Sequence, residues 1–304
     1  MGDTMAELRS KINGIEFKNP VMPAAGPNVK TAELMLSSAE LGAGAVVSKT
    51  FSVVPADDPR PTMKKTVAGG LLNCETWLED SYENFFKELR QLSVLDVPLI
   101  VSIGYSPEDV KLLGRLLEED IKPEVIEFST HYTGHGIGPL IEVAESLKEA
   151  VSVPVWMKVS PGFPLLEELV VEAEPIVDAF VAVNSFGPAL DFDPVKCRPA
   201  LGSSWGQGWM SGPPLQPIAL GIVCSLSRIV KKPIIGVGGI SSGEDAVKFM
   251  MAGASAVQVC TAAIKEGPSA YGRIAGEINS WLDVNGYNSV DEIIGKYSQG
   301  SYEL

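Results

Sequence analysis

Two lysines and one pair of glycines are the residues whose types and positions most directly invite chemistry. Lys49 follows the short apolar run Ala45–Ser48, and Lys158 lies near the end of the run Val155–Val159. A lysine at the end of a strand, pointing into an enclosed mouth, is costly unless an anion meets it. The plain alternative is a side chain that snorkels to solvent. The segment IIGVGGISSGEDAVKFMMAGASAVQVCTAAIKEGP places Gly238 and Gly239 after one apolar run and Thr261 after the next. A phosphate needs converging backbone N–H groups, close approach without a Cβ, and the positive end of a helix. Gly238-Gly239 is expected to open a helix and, with Thr261, to cradle such a group. The plain alternative is a tight turn between strand and helix.

A second set of reactive types clusters in one loop. Both histidines of the chain, His131 and His135, lie there with Tyr132 between them. Each imidazole titrates near neutrality and suits proton transfer or substrate binding. Histidines four apart form a metal pair on a helix, but Thr-Gly-His-Gly is no helix, so no metal is expected. Cys74 follows Asn73 and reads either as an acid/base thiol or as a small apolar filler. The cysteines, Cys74, Cys197, Cys224 and Cys260, form no CxxC pair and no cluster for an iron–sulfur centre. Free thiols in a reducing compartment fit that pattern.

Something must position these groups, and the chain alternates throughout. Strands are expected at Pro20–Pro23, Ala45–Ser48, Leu99–Ile103, Val125–Ser129, Val155–Val159, Phe180–Asn184, Ile234–Val237 and Ala256–Cys260. Amphipathic helices are expected around Ala32–Leu41, Glu79–Leu92, Pro107–Glu118, Pro139–Ala150, Leu165–Glu174, Gln216–Val230, Gly243–Ala252 and Pro268–Asn285. Strands apolar on both faces belong to a parallel sheet covered by helices. These units, with none left over, predict an α/β protein: a single (β/α)8 TIM barrel forming one domain over residues 1–304. Three connections, Thr50–Leu78, His131–Gly138 and Ser185–Leu215, are too long for turns and follow strand C-termini, where barrel enzymes keep their sites. The last, with Trp205 and Trp209, is expected to form an ordered lid.

Composition narrows the function classes. A formal net charge of −14 argues against nucleic acid. The apolar runs are too short for a membrane helix, and the first residues carry no apolar signal core, so a cytoplasmic location is expected.

In detail, NPVMPAAGP (19–27), VVSKT (46–50), Asn73, VSIGY (101–105), WMKVSP (156–161), VNSFG (183–187), SGPPLQPIAL (211–220) and the glycine-rich segment above stand in order along nearly the whole chain. In this the sequence resembles the class 1 dihydroorotate dehydrogenases, which are FMN enzymes. The resemblance implies FMN, with Ala24, Ala25 and Gly26 against the isoalloxazine ring. It also implies Lys49, Thr50, Lys158 and Val183 beside the ring and ribityl chain, the phosphate on Gly212, Gly238, Gly239, Cys260 and Thr261, and Ser211 as a further cofactor-binding residue. Either lysine is suited to stabilise the negative charge that reduced flavin carries near N1. A homodimer, and electron exchange with a separate partner or a soluble acceptor, are further family expectations.

One stretch departs from that pattern. Family members end the fourth strand in E-L-N-x-S-C-P-N, whose cysteine is the base and whose asparagines bind substrate. Here the stretch reads Glu127-Phe128-Ser129-Thr130-His131-Tyr132-Thr133-Gly134. Tyr132 falls on the cysteine, Ser129 and Gly134 on the asparagines, while Asn73, Asn184 and the neighbouring Ser185 remain for substrate. A Tyr pKa of about 10 leaves little base at pH 7 but a full-strength acid. The expectation is an oxidoreductase moving hydride between flavin N5 and a C–C bond of a small polar, anionic, cyclic substrate other than dihydroorotate. Tyr132, with His131 and Lys49, is the expected catalytic set. Two alternatives stand beside it: a genuine dihydroorotate dehydrogenase of pyrimidine synthesis, and a non-catalytic electron-transfer or binding flavoprotein.

Overall fold

The computed structural model describes residues 6–129 and 136–300. Parallel strands β1 (Val21–Pro23), β2 (Val46–Val47), β3 (Leu99–Ile103), β4 (Val125–Ser129), β5 (Val155–Val159), β6 (Ala179–Ala182), β7 (Ile234–Val237) and β8 (Ala254–Val259) form one eight-stranded sheet. β8 pairs with β1, and the order runs on through β7, β6, β5, β4 and β3 to β2. The sheet curls into a nearly closed barrel, and the chain is a (β/α)8 barrel as its alternation predicts.

Helices α1 (Ala32–Glu40), α2 (Tyr82–Arg90), α3 (Pro107–Leu116), α4 (Ile137–Ala150), α5 (Leu166–Ala173), α6 (Gln216–Ile229), α7 (Gly243–Met251), α8 (Thr261–Glu266) and α9 (Ser269–Asn285) lie among the strands. Their starts follow local chemistry. Thr31, Ser81 and Ser106 accept backbone N–H bonds at the starts of α1, α2 and α3, and acids occupy the first turn of each. α7 has a full capping box between Ser242 and Asp245.

Side-chain alternation along the strands sorts residues between two cores. Ile100, Val125, Trp156, Val181, Ile235 and Ala256 point into the barrel, while Val101, Ile126, Met157, Phe180, Ile234 and Val257 pack under the helices. The antiparallel hairpin Ser10–Ile12/Ile15–Phe17 adds Ile12 and Phe17 to the inner cluster. Its turn, Asn13-Gly14, has positive φ at both residues, 53° and 84°, as a two-residue hairpin requires. Asn13 Oδ1 accepts the indole N–H of Trp156 at 2.8 Å, which satisfies a donor that is otherwise buried.

At the opposite end, two of the long connections meet. Phe186–Leu190, Gln207–Ser211, Leu71–Asn73 and Met63–Lys65 form a four-stranded antiparallel sheet in that order. The expected lid is therefore ordered, and it is built from both the β2 and the β6 connections. Trp209 lies within it, opposite Asn73, whereas Trp205 is 87% exposed. α4 begins at Ile137 rather than Pro139.

Candidate active site

A cavity opens between the C-terminal ends of the barrel strands and the lid sheet. Every expected site residue within the described part lines it: Ala24, Ala25, Gly26, Lys49, Thr50, Asn73, Ser129, Lys158, Val183, Asn184, Ser185, Ser211, Gly212, Gly238, Gly239, Cys260 and Thr261. His131, Tyr132 and His135 lie outside the described residues.

The floor of the cavity follows from strand parity. Lys158 shares the inward face of β5 with Trp156, Glu127 shares that of β4 with Val125, and Gln258 shares that of β8 with Ala256. Toward the C-terminal end each inward row thus changes from apolar to polar. Glu127 is fully buried, its Oε1 lying 3.6 Å from Lys158 Nζ and its Oε2 accepting from Gln258 Nε2 at 2.7 Å. Gln258 Oε1 accepts from Lys158 Nζ at 3.5 Å. A buried charge must be compensated, and this arrangement supplies the compensation for Lys158. Sequence reading found Lys158 but passed over Glu127 and Gln258 as partners; the inward parity they share with it was the available signal.

The roof is made differently. Lys49, 7% exposed, follows β2 and reaches the lid segment, with Nζ 3.5 Å from Glu75 Oε2 and 3.4 Å from Thr76 O. Neither lysine snorkels to solvent. Glu75 and Thr76 line the cavity, and neither stood among the expected site residues. Asp58, itself buried, holds this segment: its carboxylate accepts from Thr76 N at 3.0 Å and from Thr76 Oγ1 at 2.6 Å. Asn73 Nδ2 donates to Trp209 O at 3.2 Å, and Asn184 Nδ2 to Ser129 Oγ at 3.4 Å.

At the far end the glycine cradle differs from expectation in one respect. Gly238 and Gly239 do not open a helix; α7 starts at Gly243. Its first turn is already occupied by its own capping box and by Glu277 Oε2, which accepts from Gly243 N at 2.7 Å. Gly212, Gly238 and Gly239 have φ of 84°, 139° and 77°, backbone that side-chain-bearing residues rarely adopt. Packing also demands glycine at these positions: a Cβ at Gly239 would lie 2.6 Å from Gly212 O, and one at Gly212 would lie 2.9 Å from Thr261 Cγ2. The tight turn therefore demands glycine here for both conformation and packing.

Two cysteines, Cys74 and Cys260, lie near the cavity. Cys74 is buried with Leu72 and Leu201 in the core of the lid, its Sγ near the carbonyls of Pro59 and Pro61, and it does not line the cavity. The acid/base alternative for Cys74 is thereby overturned, because strand alternation turns it away from Asn73. Burial pushes the Cys260 thiol up to about 11, so it stays protonated beside Asn28. Among the described residues no group of three or more His, Cys, Asp or Glu side chains converges as for a metal ion, and no helix is long and apolar enough to cross a membrane.

Comparison with known proteins fits this geometry. A family model described as dihydroorotate dehydrogenase matches residues 139–282. The chain is 35% identical over 298 residues to the dihydroorotate dehydrogenase B (NAD(+)) catalytic subunit of Methanothermobacter thermautotrophicus, covering 95% of this chain and 97% of that one. It is 36% identical to the subunit of the same name from Pyrococcus abyssi (95% and 98% covered) and 36% to that of Geobacter sulfurreducens (95% and 97%). Barrel, cavity and full-length similarity agree: the chain belongs to the dihydroorotate dehydrogenase family and is an oxidoreductase acting on CH–CH bonds.

Proposed function

We propose that the chain is an FMN-dependent oxidoreductase that reduces the C=C bond of a small polar cyclic compound distinct from orotate, or runs the reverse oxidation. The observation that carries this is the convergence of the expected flavin residues on one cavity with a lysine inside the barrel. The residues present fit FMN. Gly212, Gly238 and Gly239 offer backbone that only glycine takes easily, and Ala24, Ala25 and Gly26 line the cavity with no side chain larger than a methyl group, which leaves their backbone accessible to a flat ring. When bound, FMN supplies a hydride acceptor and donor at N5.

The protein does the rest. Lys158, held by Glu127 and Gln258, lines the cavity and would offer its positive charge to a bound flavin that becomes anionic on reduction. Asn184 and Ser129, linked at 3.4 Å, and Asn73 on the lid orient the substrate. Tyr132 follows Ser129 by three residues and holds the cysteine's place in the family motif; it gives a proton to the carbon next to the one that receives hydride. A tyrosine is ionised only about one part in a thousand at pH 7, which favours this donor role over that of base. Ser129 and Gly134 in place of asparagines withdraw hydrogen bonds on which a site for dihydroorotate would rely, and such losses discriminate strongly.

The name these relatives carry favours a second reading, a genuine dihydroorotate dehydrogenase in which Tyr132 or His131 replaces the cysteine. That name, "catalytic subunit", also supports a separate electron-transfer partner for this chain. The test is to purify the protein, measure bound FMN, reduce it anaerobically, and offer fumarate, orotate and a panel of cyclic enoates and pyrimidines. Reoxidation by a compound other than orotate, slowed in Tyr132→Phe, is the expected result. Absence of bound FMN overturns the proposal.

A further inference from the structure

The two lysines of the cavity are both already answered by carboxylates. Glu127 lies 3.6 Å from Lys158, and Glu75 lies 3.5 Å from Lys49. Lys49, Lys158 and Glu75 are the lysine and carboxylate residues that line the cavity among the described residues, and no arginine or aspartate joins them. With Glu127 directly behind Lys158, the formal charges sum to zero. Among the described residues the site has no cationic charge to spare for a substrate anion.

Glu75 is also placed rather than incidental. Its neighbour Thr76 is clamped by Asp58 through both backbone N–H and hydroxyl, and the preceding Asn73 is fixed in the lid sheet opposite Trp209. The Glu75 side chain is 21% exposed and faces the cavity beside Asn73. A partly desolvated carboxylate there repels a second carboxylate and accepts hydrogen bonds from N–H donors.

Resting on the FMN reading above, we infer that Glu75 sets the substrate class: an uncharged unsaturated ring bearing N–H donors, not a ring carboxylate. The expectation of an anionic substrate, drawn from Lys49, Asn73 and Asn184, gives way to this one. The carboxylate of Glu75 takes the place that the substrate's own carboxylate would otherwise hold opposite Lys49.

The test is equilibrium binding to the FMN-loaded protein, read from perturbation of the flavin absorbance. The probes are orotate and uracil, which share a ring and differ by one carboxylate. Wild type is expected to bind uracil at least ten-fold more tightly than orotate. Glu75→Gln keeps the shape and removes the charge, and should narrow or invert that preference by ten-fold or more. Glu75→Ala should move it in the same direction and guards against an effect special to glutamine. A wild type that prefers orotate, or a preference that neither variant moves, overturns the inference while leaving the FMN reading intact. A protein that holds no FMN removes both.

Discussion

At the floor of the cavity, Lys158, Glu127 and Gln258 rise from three barrel strands and are 5%, 0% and 1% exposed. At its roof, Lys49 meets Glu75 on a lid segment held by Asp58, with side chains 8% and 21% exposed. Both are lysine–carboxylate pairs, yet they rest on different supports. The floor is fixed by hydrogen-bonded strands whose parity leaves those side chains no other direction. The roof is fixed by a loop folded onto a small antiparallel sheet. A protein built this way can keep redox chemistry on the rigid element while substrate recognition changes on the lid, since loops tolerate substitution better than barrel strands.

That contrast can be broken at the floor with the largest effect. Lys158→Met leaves Glu127 buried without its countercharge and should cost about 3–5 kcal/mol in denaturant unfolding. Adding Glu127→Leu should recover most of that loss. If the single variant unfolds at the wild-type denaturant concentration, the floor pair is not a mutually dependent unit.

At the roof, Asp58→Ala removes the acceptor for Thr76 N and Oγ1 and should cost about 1–3 kcal/mol. Hydrogen exchange should locate the loss in residues 71–78 with the barrel strands still protected. Global unfolding with no local opening would merge the two regions.

A smaller effect is expected at α7, away from both. Burial works against the Asp245 carboxylate, but hydrogen bonds including those from Ser241 and Ser242 outweigh it and hold its carboxyl below the ordinary range. A depressed folded value stabilises the protein above the unfolded value and is lost as the pH falls through the folded one. Asp245→Asn should therefore cost about 1 kcal/mol near neutrality, as loss of a helix cap does. Its curve of stability against pH should converge on wild type below about pH 4.

The least effect at pH 7 belongs to Cys260. Its thiol is pushed up to about 11 by burial, so the folded state keeps a proton that the unfolded chain loses. Wild-type stability should fall between the ordinary thiol value of about 8.5 and 11, and Cys260→Ser should flatten that limb.

The same division governs what could be read in advance. β3, β4, β5 and β7 fall on their expected boundaries because apolar runs in a buried parallel sheet are set by local sequence. That Gly238, Gly239 and Thr261 line the cavity was legible because they follow strand C-termini, the end at which a barrel opens its cavity. The lid sheet was not legible: Leu71–Asn73 pairs with Gln207–Ser211 across more than a hundred residues, and short strands carry too little periodic pattern to announce a distant partner. Glu75 was missed for that reason, since only the folded lid brings it to Lys49. The Asn13-Gly14 hairpin, by contrast, had a signal in plain view and was overlooked. Cys74 misled because adjacency to Asn73 in sequence becomes opposition across a strand.

The central claim is that the flavin chemistry of the family is kept while the substrate has changed. Its most direct test is a single-turnover experiment with the FMN reduced anaerobically and mixed with orotate or with uncharged unsaturated rings bearing N–H donors. The account predicts fast reoxidation by one of the uncharged rings and reoxidation by orotate at least a hundred-fold slower. Rapid reoxidation by orotate, with dihydroorotate as the product, would contradict it.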